Sequence, residues 1–333
     1  MASADDAGSA AAGQGGVGDE RRKALERDIR AAVAGVRADL AVMVSDTRGW
    51  RLSVGANARK HLASVVKMLM VVVALRQAER GGLALADEVC AGAGPGQVDL
   101  SSSFLGRLHA GLRLTHQDLL YLMIALSDST IYDYFFHLIG AGVINGHLQE
   151  MGLSDTRLDI SILELNRRSY GLTAARFDGL DTWARLQSLF VESPEVVQEP
   201  EVAAAARAFR FVDHNYSTPH DLCFLLESLL RGELLGPAYT ERAREMLRWQ
   251  LSKNRLPAML PPAMDGCVGH QIGLVAESDD SYSVINDCGF LDFGPEDAVV
   301  VVCLGDSIHD PAWAIDRAIG EVGYAAFRCF GPG

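Results

Sequence analysis

Apolar residues recur at helical spacing between Glu20 and Val36 (Leu25, Ile29, Ala32, Val33, Val36) with charges between them, which predicts an amphipathic helix. Leu40 to Val44 and Trp50 to Val54 then run apolar or alternate about the turn Ser45-Asp46-Thr47-Arg48-Gly49, the pattern of a β-hairpin. From Ser64 to Ala78 a Pro-free, apolar segment reads as a buried helix ended by Gly81-Gly82. Helical patterns follow at Thr115 to Leu126, Thr130 to Ile139, Thr218 to Leu230 and Tyr239 to Trp249, separated by polar loops. Val268 to Val275, Val284 to Phe290 and Ala298 to Cys303 are β-rich runs of strand length, and a helical pattern from Pro311 to Val322 comes last.

Strands therefore flank a helical middle. This order predicts an α+β fold, in which both chain ends supply one antiparallel sheet packed with helices and a mostly helical half is inserted between them. The expected division is a disordered tail over 1–19, an α/β half from 20–80 and 256–333, and a helical half over 81–255, together forming one compound domain. With 333 residues, 49% of them apolar, the chain can bury a core of that size.

Charge narrows the function classes. A formal net charge of −13, with few lysines among scattered basic residues, disfavours nucleic acid and anionic membrane surfaces as partners. The first nineteen residues have neither a basic start nor an apolar run, and the stretch Met68 to Leu75 is too short to span a bilayer, so no membrane segment is expected. Six widely separated cysteines without a Cys-x-x-Cys pair suggest neither a zinc ribbon nor a disulfide framework, and fit a cytoplasmic protein. The nine histidines show no metal-ligand spacing. Gly92-Ala93-Gly94-Pro95-Gly96 lacks a preceding strand and contains a proline, so it reads as a loop rather than a phosphate cradle. Neither metal nor cofactor is expected.

The candidate chemistry lies at the start of the buried helix. Ser64-Val65-Val66-Lys67 puts hydroxyl and amine at i and i+3 on one helical face. A lysine in an apolar segment is partly desolvated, which lowers its pKa and lets the neutral amine take the serine proton. Ser64 also falls near a helix N-terminus, where free backbone N–H groups favour developing negative charge. The spacing alone is common, since a capping serine beside a surface lysine produces it too. Ser127-Asp128-Ser129, at the end of one apolar helix and the start of the next, likewise reads alone as a helix cap.

Together these segments resemble the superfamily of class A β-lactamases and penicillin-binding proteins, whose Ser-x-x-Lys and Ser-Asp-Asn elements lie about as far apart. Further segments agree in order over roughly residues 37 to 325. Gly81 to Val89 looks like the family segment after the nucleophile helix, and Asn215 to Leu222 like its Thr-Thr-Pro-x-Asp helix start. Gly269-His270-Gln271-Ile272-Gly273 falls where the family has His-Lys-Thr-Gly, and Asn286 to Phe290 looks like the next strand. The resemblance implies Ser64 as nucleophile, Lys67 as its base, and Ser127 as the hydroxyl that passes a proton to the leaving group. It also implies an oxyanion hole from the backbone N–H groups of Ser64 and Leu274, with Ser129 (in place of the family asparagine), His270, Gln271 and Gly273 binding substrate. Gly273 has a structural alternative, a strand glycine that admits a close backbone approach.

The departures matter as much. Gln271 and Ile272 replace the cation and hydroxyl that hold a substrate carboxylate. The glutamate that activates water in a Glu-x-x-Leu-Asn pattern is missing: Ile162 takes its place before Glu164-Leu165-Asn166, and Phe211 before Asn215. The stretch from Asn166 to Tyr216 is long for the family loop. The expectation is an acyl-enzyme that takes a small-molecule ester or amide and transfers the acyl group to an amine, in specialised-metabolite biosynthesis. The alternatives are a hydrolase, with Glu199, Glu201 and Asp213 as remote candidates for activating water, and a non-catalytic ligand-binding homologue.

Overall fold

A computed structural model describes residues 18–56, 58–92, 111–276, 282–294 and 297–332. The predicted tail up to residue 17 and the glycine-rich stretch 93–96 lie outside the described residues, while Asp19 already opens the first helix. The chain begins with α1 (Asp19–Ala34), the hairpin β1 (Asp39–Asp46) and β2 (Arg51–Val54), the short β3 (Lys60–His61) and, after a 3₁₀ turn over Ala63–Val65, α2 (Val66–Glu79). Next, β4 (Glu88–Cys90) pairs with β5 (Arg113–Thr115) and leads into α3 (His116–Ala125), α4 (Ser129–Ile139) and α5 (Ala141–Glu150). The long insertion carries α6 (Ile162–Ser169), α7 (Trp183–Glu192) and α8 (Pro200–Ala208). Then β6 (Tyr216–Ser217) returns to pair with β3, followed by α9 (Pro219–Leu230) and α10 (Pro237–Arg248). Finally come β7 (Val268–Ala276), β8 (Tyr282–Gly294), β9 (Asp297–Asp306) and α11 (Ala312–Phe330).

The five long strands form one antiparallel sheet in the order β2-β1-β9-β8-β7, so both chain ends build it as expected. Alternation along β9 splits the core into two layers. Val299, Val301 and Cys303 face α1 and α11, whereas Val300, Val302 and Leu304 face the helical half. The strand β7 is the sheet edge beside the helical half.

The helix α2 is buried without a break from Val66 to Leu75, and it packs at the centre of the helical layer against α3, α4, α5 and α10. A helix apolar on every face belongs in such a place, which makes the single lysine within it conspicuous. Local signals start several of the helices. Thr115 and Asp118 form a capping box at α3, Asp128 accepts from the N–H groups of Thr130 and Ile131 at α4, and Thr218 caps α9 ahead of Pro219. The insertion has a small apolar cluster of its own (Leu163, Leu172, Phe177, Leu186, Val202), so it is a folded appendage rather than a bare loop. Among the described residues no helix is long and apolar enough to cross a membrane.

Candidate active site

The turn Ala63–Val65, at the head of α2, meets the edge strand β7. Ser64 sits in that 3₁₀ turn, just ahead of the α-helix in which the sequence pattern had placed it. It is the only partly exposed residue between Lys60 and Leu75. The approach of the two elements depends on Gly273: a Cβ there would stand 2.7 Å from the Leu62 carbonyl oxygen, closer than real side chains come. Asn286, opposite Gly273 on β8, ties the same turn down by donating from Nδ2 to the carbonyls of His61 and Leu62 at 2.9 and 3.0 Å. Gly273 thus admits a close backbone approach, and the backbone it admits is that of the Ser64 turn, which is compatible with a place on the substrate edge.

Lys67 Nζ, fully buried, stands 2.7 Å from Ser64 Oγ, 3.4 Å from Ser127 Oγ and 3.3 Å from Ser129 Oγ. Three hydroxyls from two helix termini converge on one amine. Burial disfavours its charged form and lowers its pKa to about 8, against the opposing pull of the Asp128 and Asp133 carboxylates. Three of the four described non-glycine residues with positive φ lie here: Ala63 (48°) beside Ser64, Ser127 (50°), and Asn215 (44°). Such backbone strain is tolerated where surrounding structure enforces it, often at functional sites.

A cleft of about 570 Å³ opens over Ser64 and Ser129. Leu274, Val275 and Ala276 of β7 form one wall, and Ile162, Leu165, Tyr170, Trp183 and Phe211 of the insertion form another. No described lining residue carries a charged side chain. Ile162 and Asn166 both line the cleft, so the residue standing where the resemblance calls for a glutamate is a hydrocarbon. Glu199 and Glu201 instead pair with Arg176, and Asp213 with Arg210, away from the cleft.

Two of the expected substrate-binding residues lie elsewhere. His270 is fully buried, and its Nδ1 lies 2.9 Å from Asp287 Oδ1, on the opposite side of β7 from Gln271. Gln271 is also fully buried; its Nε2 donates to Ser127 Oγ at 3.0 Å and to the Ile272 carbonyl at 2.8 Å. It supports Ser127 instead of lining the cleft. Ser129 does line the cleft, as does Leu274.

Sequence reasoning missed Asp133. Buried on α4, it accepts from the N–H groups of Ile162 and Leu163 at 2.6 and 3.0 Å and from Trp183 Nε1 at 2.9 Å, anchoring the insertion to the helix headed by Ser129. Burial pushes its pKa up to about 7 despite those donors. The one available signal was its place one helical turn after Ser129. The neck of the insertion is closed by Asp159, which pairs with His214 Nδ1 at 2.9 Å and accepts from the Asn215 N–H.

A buried amine beside a partly exposed serine, within an antiparallel sheet and helical layer, is the arrangement of a serine-hydrolase type of enzyme. The family model described as the beta-lactamase enzyme family matches residues 23–330, and the chain belongs to that family. Solved structures agree on the fold. A beta-lactamase from Sphaerobacter thermophilus is 21% identical, covers 93% of this chain and 99% of its own, and superposes with a TM-score of 0.66. One from Xanthomonas campestris pv. campestris is 19% identical, with 94% and 99% covered and a TM-score of 0.68. An ancestral class A beta-lactamase is 22% identical, with 92% and 100% covered and the same TM-score of 0.68. No curated protein matches the sequence.

Proposed function

We propose that the protein is a serine acyltransferase that takes the acyl group of a small ester or amide onto Ser64 and passes it to an amine. The observation that carries this reading is the Lys67 amine, sealed from solvent, with a pKa lowered to about 8 and lying 2.7 Å from Ser64 Oγ. Neutral Lys67 takes the serine proton as Oγ attacks the acyl carbon. The N–H groups of Ser64 and Leu274 hold the oxyanion, and Ser127 gives its proton to the departing oxygen or nitrogen and regains one from the Lys67 ammonium. An incoming neutral amine then attacks the acyl carbon, the bond from that carbon to Ser64 Oγ breaks, and Lys67 takes the proton the amine loses and returns one to Oγ.

Three features support an amine acceptor and an uncharged acyl group. Ile162 offers no base for water, whereas an amine is the stronger nucleophile and needs less help. Gln271 and Ile272 present no cation to a substrate carboxylate, and the aromatic and aliphatic wall suits an apolar group. All six cysteines are free thiols, which supports a reducing cytoplasm and hence a tailoring role in small-molecule biosynthesis. A second reading, hydrolysis of the same acyl-enzyme by water, is favoured by the family itself.

Intact-protein mass spectrometry after incubation with activated esters and a penicillin tests both. The expected result is an acyl adduct absent from Ser64→Ala and discharged faster by added amines than by water. Discharge by water alone, unaffected by amines, makes the protein a hydrolase. Absence of any adduct overturns the catalytic reading.

A further inference from the structure

Gln271 donates to Ser127 Oγ, and the direction of that hydrogen bond is held from two sides: the Ile272 carbonyl takes one hydrogen of its Nε2, and Gln250 occupies its oxygen. Gln250, just beyond α10 and 1% exposed, meets two backbone groups whose polarity cannot reverse. Its oxygen accepts from the Ser252 N–H at 2.9 Å, and its Nε2 donates to the Ile124 carbonyl at 2.9 Å. A side-chain amide has an acceptor at one corner and donors at the other, so these contacts decide which way Gln250 faces. Its Nε2 thereby also reaches Gln271 Oε1 at 3.2 Å. With that oxygen occupied and the Ile272 carbonyl taking one donor at 2.8 Å, Gln271 has one N–H left, and it points at Ser127 Oγ 3.0 Å away.

A hydroxyl that accepts along one direction must send its own hydrogen along another. For Ser127 the remaining directions are Lys67 Nζ at 3.4 Å and the substrate side. We infer that Gln250 is a positioning residue which, acting through Gln271, keeps the Ser127 proton directed at the leaving group. A lysine at position 271 would donate whatever its neighbours; a glutamine donates only while its amide is held the right way round, here by the Ile272 carbonyl and by Gln250. The inference rests on the proposed role of Ser127: the bond from acyl carbon to leaving atom breaks, its electron pair stays on that atom, and the Ser127 proton joins it.

Leaving-group dependence separates this role from a structural one. A 4-nitrophenolate departs without protonation, whereas an alkoxide needs the proton. Acylation rates would be measured by mass spectrometry with the 4-nitrophenyl and ethyl esters of phenylacetic acid, on wild type, Ser127→Ala and Gln250→Met, alongside melting temperatures. In Gln250→Met, the ethyl ester is expected to lose about tenfold or more while the nitrophenyl ester stays within about twofold, because only a proton-transfer contribution is removed. Should Gln250→Met fail to fold, the similarly shaped Gln250→Glu, which accepts but does not donate, sets a carboxylate against Gln271 Oε1, displaces the amide and is expected to give the same selective loss. Adding Gln271→Lys to Gln250→Met should restore the ethyl ester reaction. If Ser127→Ala shows the selective loss and the Gln250 variants lose both esters equally, or neither, the inference is overturned while the role of Ser127 stands. If Ser127→Ala shows no selectivity, the shuttle itself fails and the inference with it.

Discussion

The Ile162 backbone N–H donates to Asp133 Oδ1 at 2.6 Å, so the start of α6 is pinned to the helix that carries Ser129, and the Ile162 side chain lines the cleft. A carboxylate at this position would meet water bound over the acyl-enzyme. Ile162→Glu is therefore expected to speed hydrolytic discharge of acyl-Ser64 by about tenfold or more, the scale of a positioned general base. The lifetime of the adduct, followed by mass spectrometry in amine-free buffer, checks this; an unchanged lifetime would rule out the missing base as the cause of slow hydrolysis.

Acylation should follow the protonation of Lys67. Only the neutral amine accepts the Ser64 proton, so the rate is expected to rise with pH through about 8 and level off above it. Asp128 and Asp133 pull that midpoint up while burial pulls it down. In Gln271→Lys a second cation beside Ser127 repels the Lys67 ammonium and should move the midpoint lower by about one unit or more. A profile whose midpoint is the same in both proteins would mean that another group controls the rate.

Much of this architecture was legible because burial leaves a simple trace. Strand β9 and helix α2 are apolar runs, and the polar caps at Thr115 and Thr218 mark where α3 and α9 begin. The helices α6 to α8 were not legible, since each buries only a few side chains, against a small cluster, and so leaves little periodic trace. The site divides in the same way. Ser64 and Lys67 meet as their i, i+3 spacing predicts, and Ser127 and Ser129 join them where the family resemblance implied. His270 and Gln271 do not share a face, because neighbouring residues of a strand point to opposite sides and a motif read as a continuous word loses that distinction. Gln250 left no sequence signal, because its partners are backbone groups of Ile124 and Ser252.

The close approach at Gly273 offers a test of how the nucleophile is held. In Gly273→Ala the new methyl would collide with the Leu62 carbonyl oxygen and force β7 away from the Ser64 turn. Overpacking of this kind costs about 1–3 kcal/mol, and the displaced Leu274 N–H should also slow acylation by about tenfold or more. Thermal melting and adduct formation measure the two effects separately. Wild-type acylation in a destabilised variant would detach Leu274 from the oxyanion hole.

Asp133 should leave a mark on stability against pH. Its carboxyl is pushed up to about 7 in the folded protein by burial, whereas in the unfolded chain it titrates as an ordinary aspartate near 3.9. Between those values the folded state binds the extra proton, so this group favours folding fully below about pH 4 and loses that contribution as pH rises toward 7. In Asp133→Asn nothing titrates at the position. The amide meets the three N–H donors from Ile162, Leu163 and Trp183 with a single oxygen, which leaves the variant less stable at low pH. The gap between the two proteins is therefore expected to be widest near pH 4 and to narrow as pH approaches 7, measured by urea unfolding across that range. A gap that widens with pH would mean that Asp133 is charged throughout, held ionised by the donors that anchor the insertion.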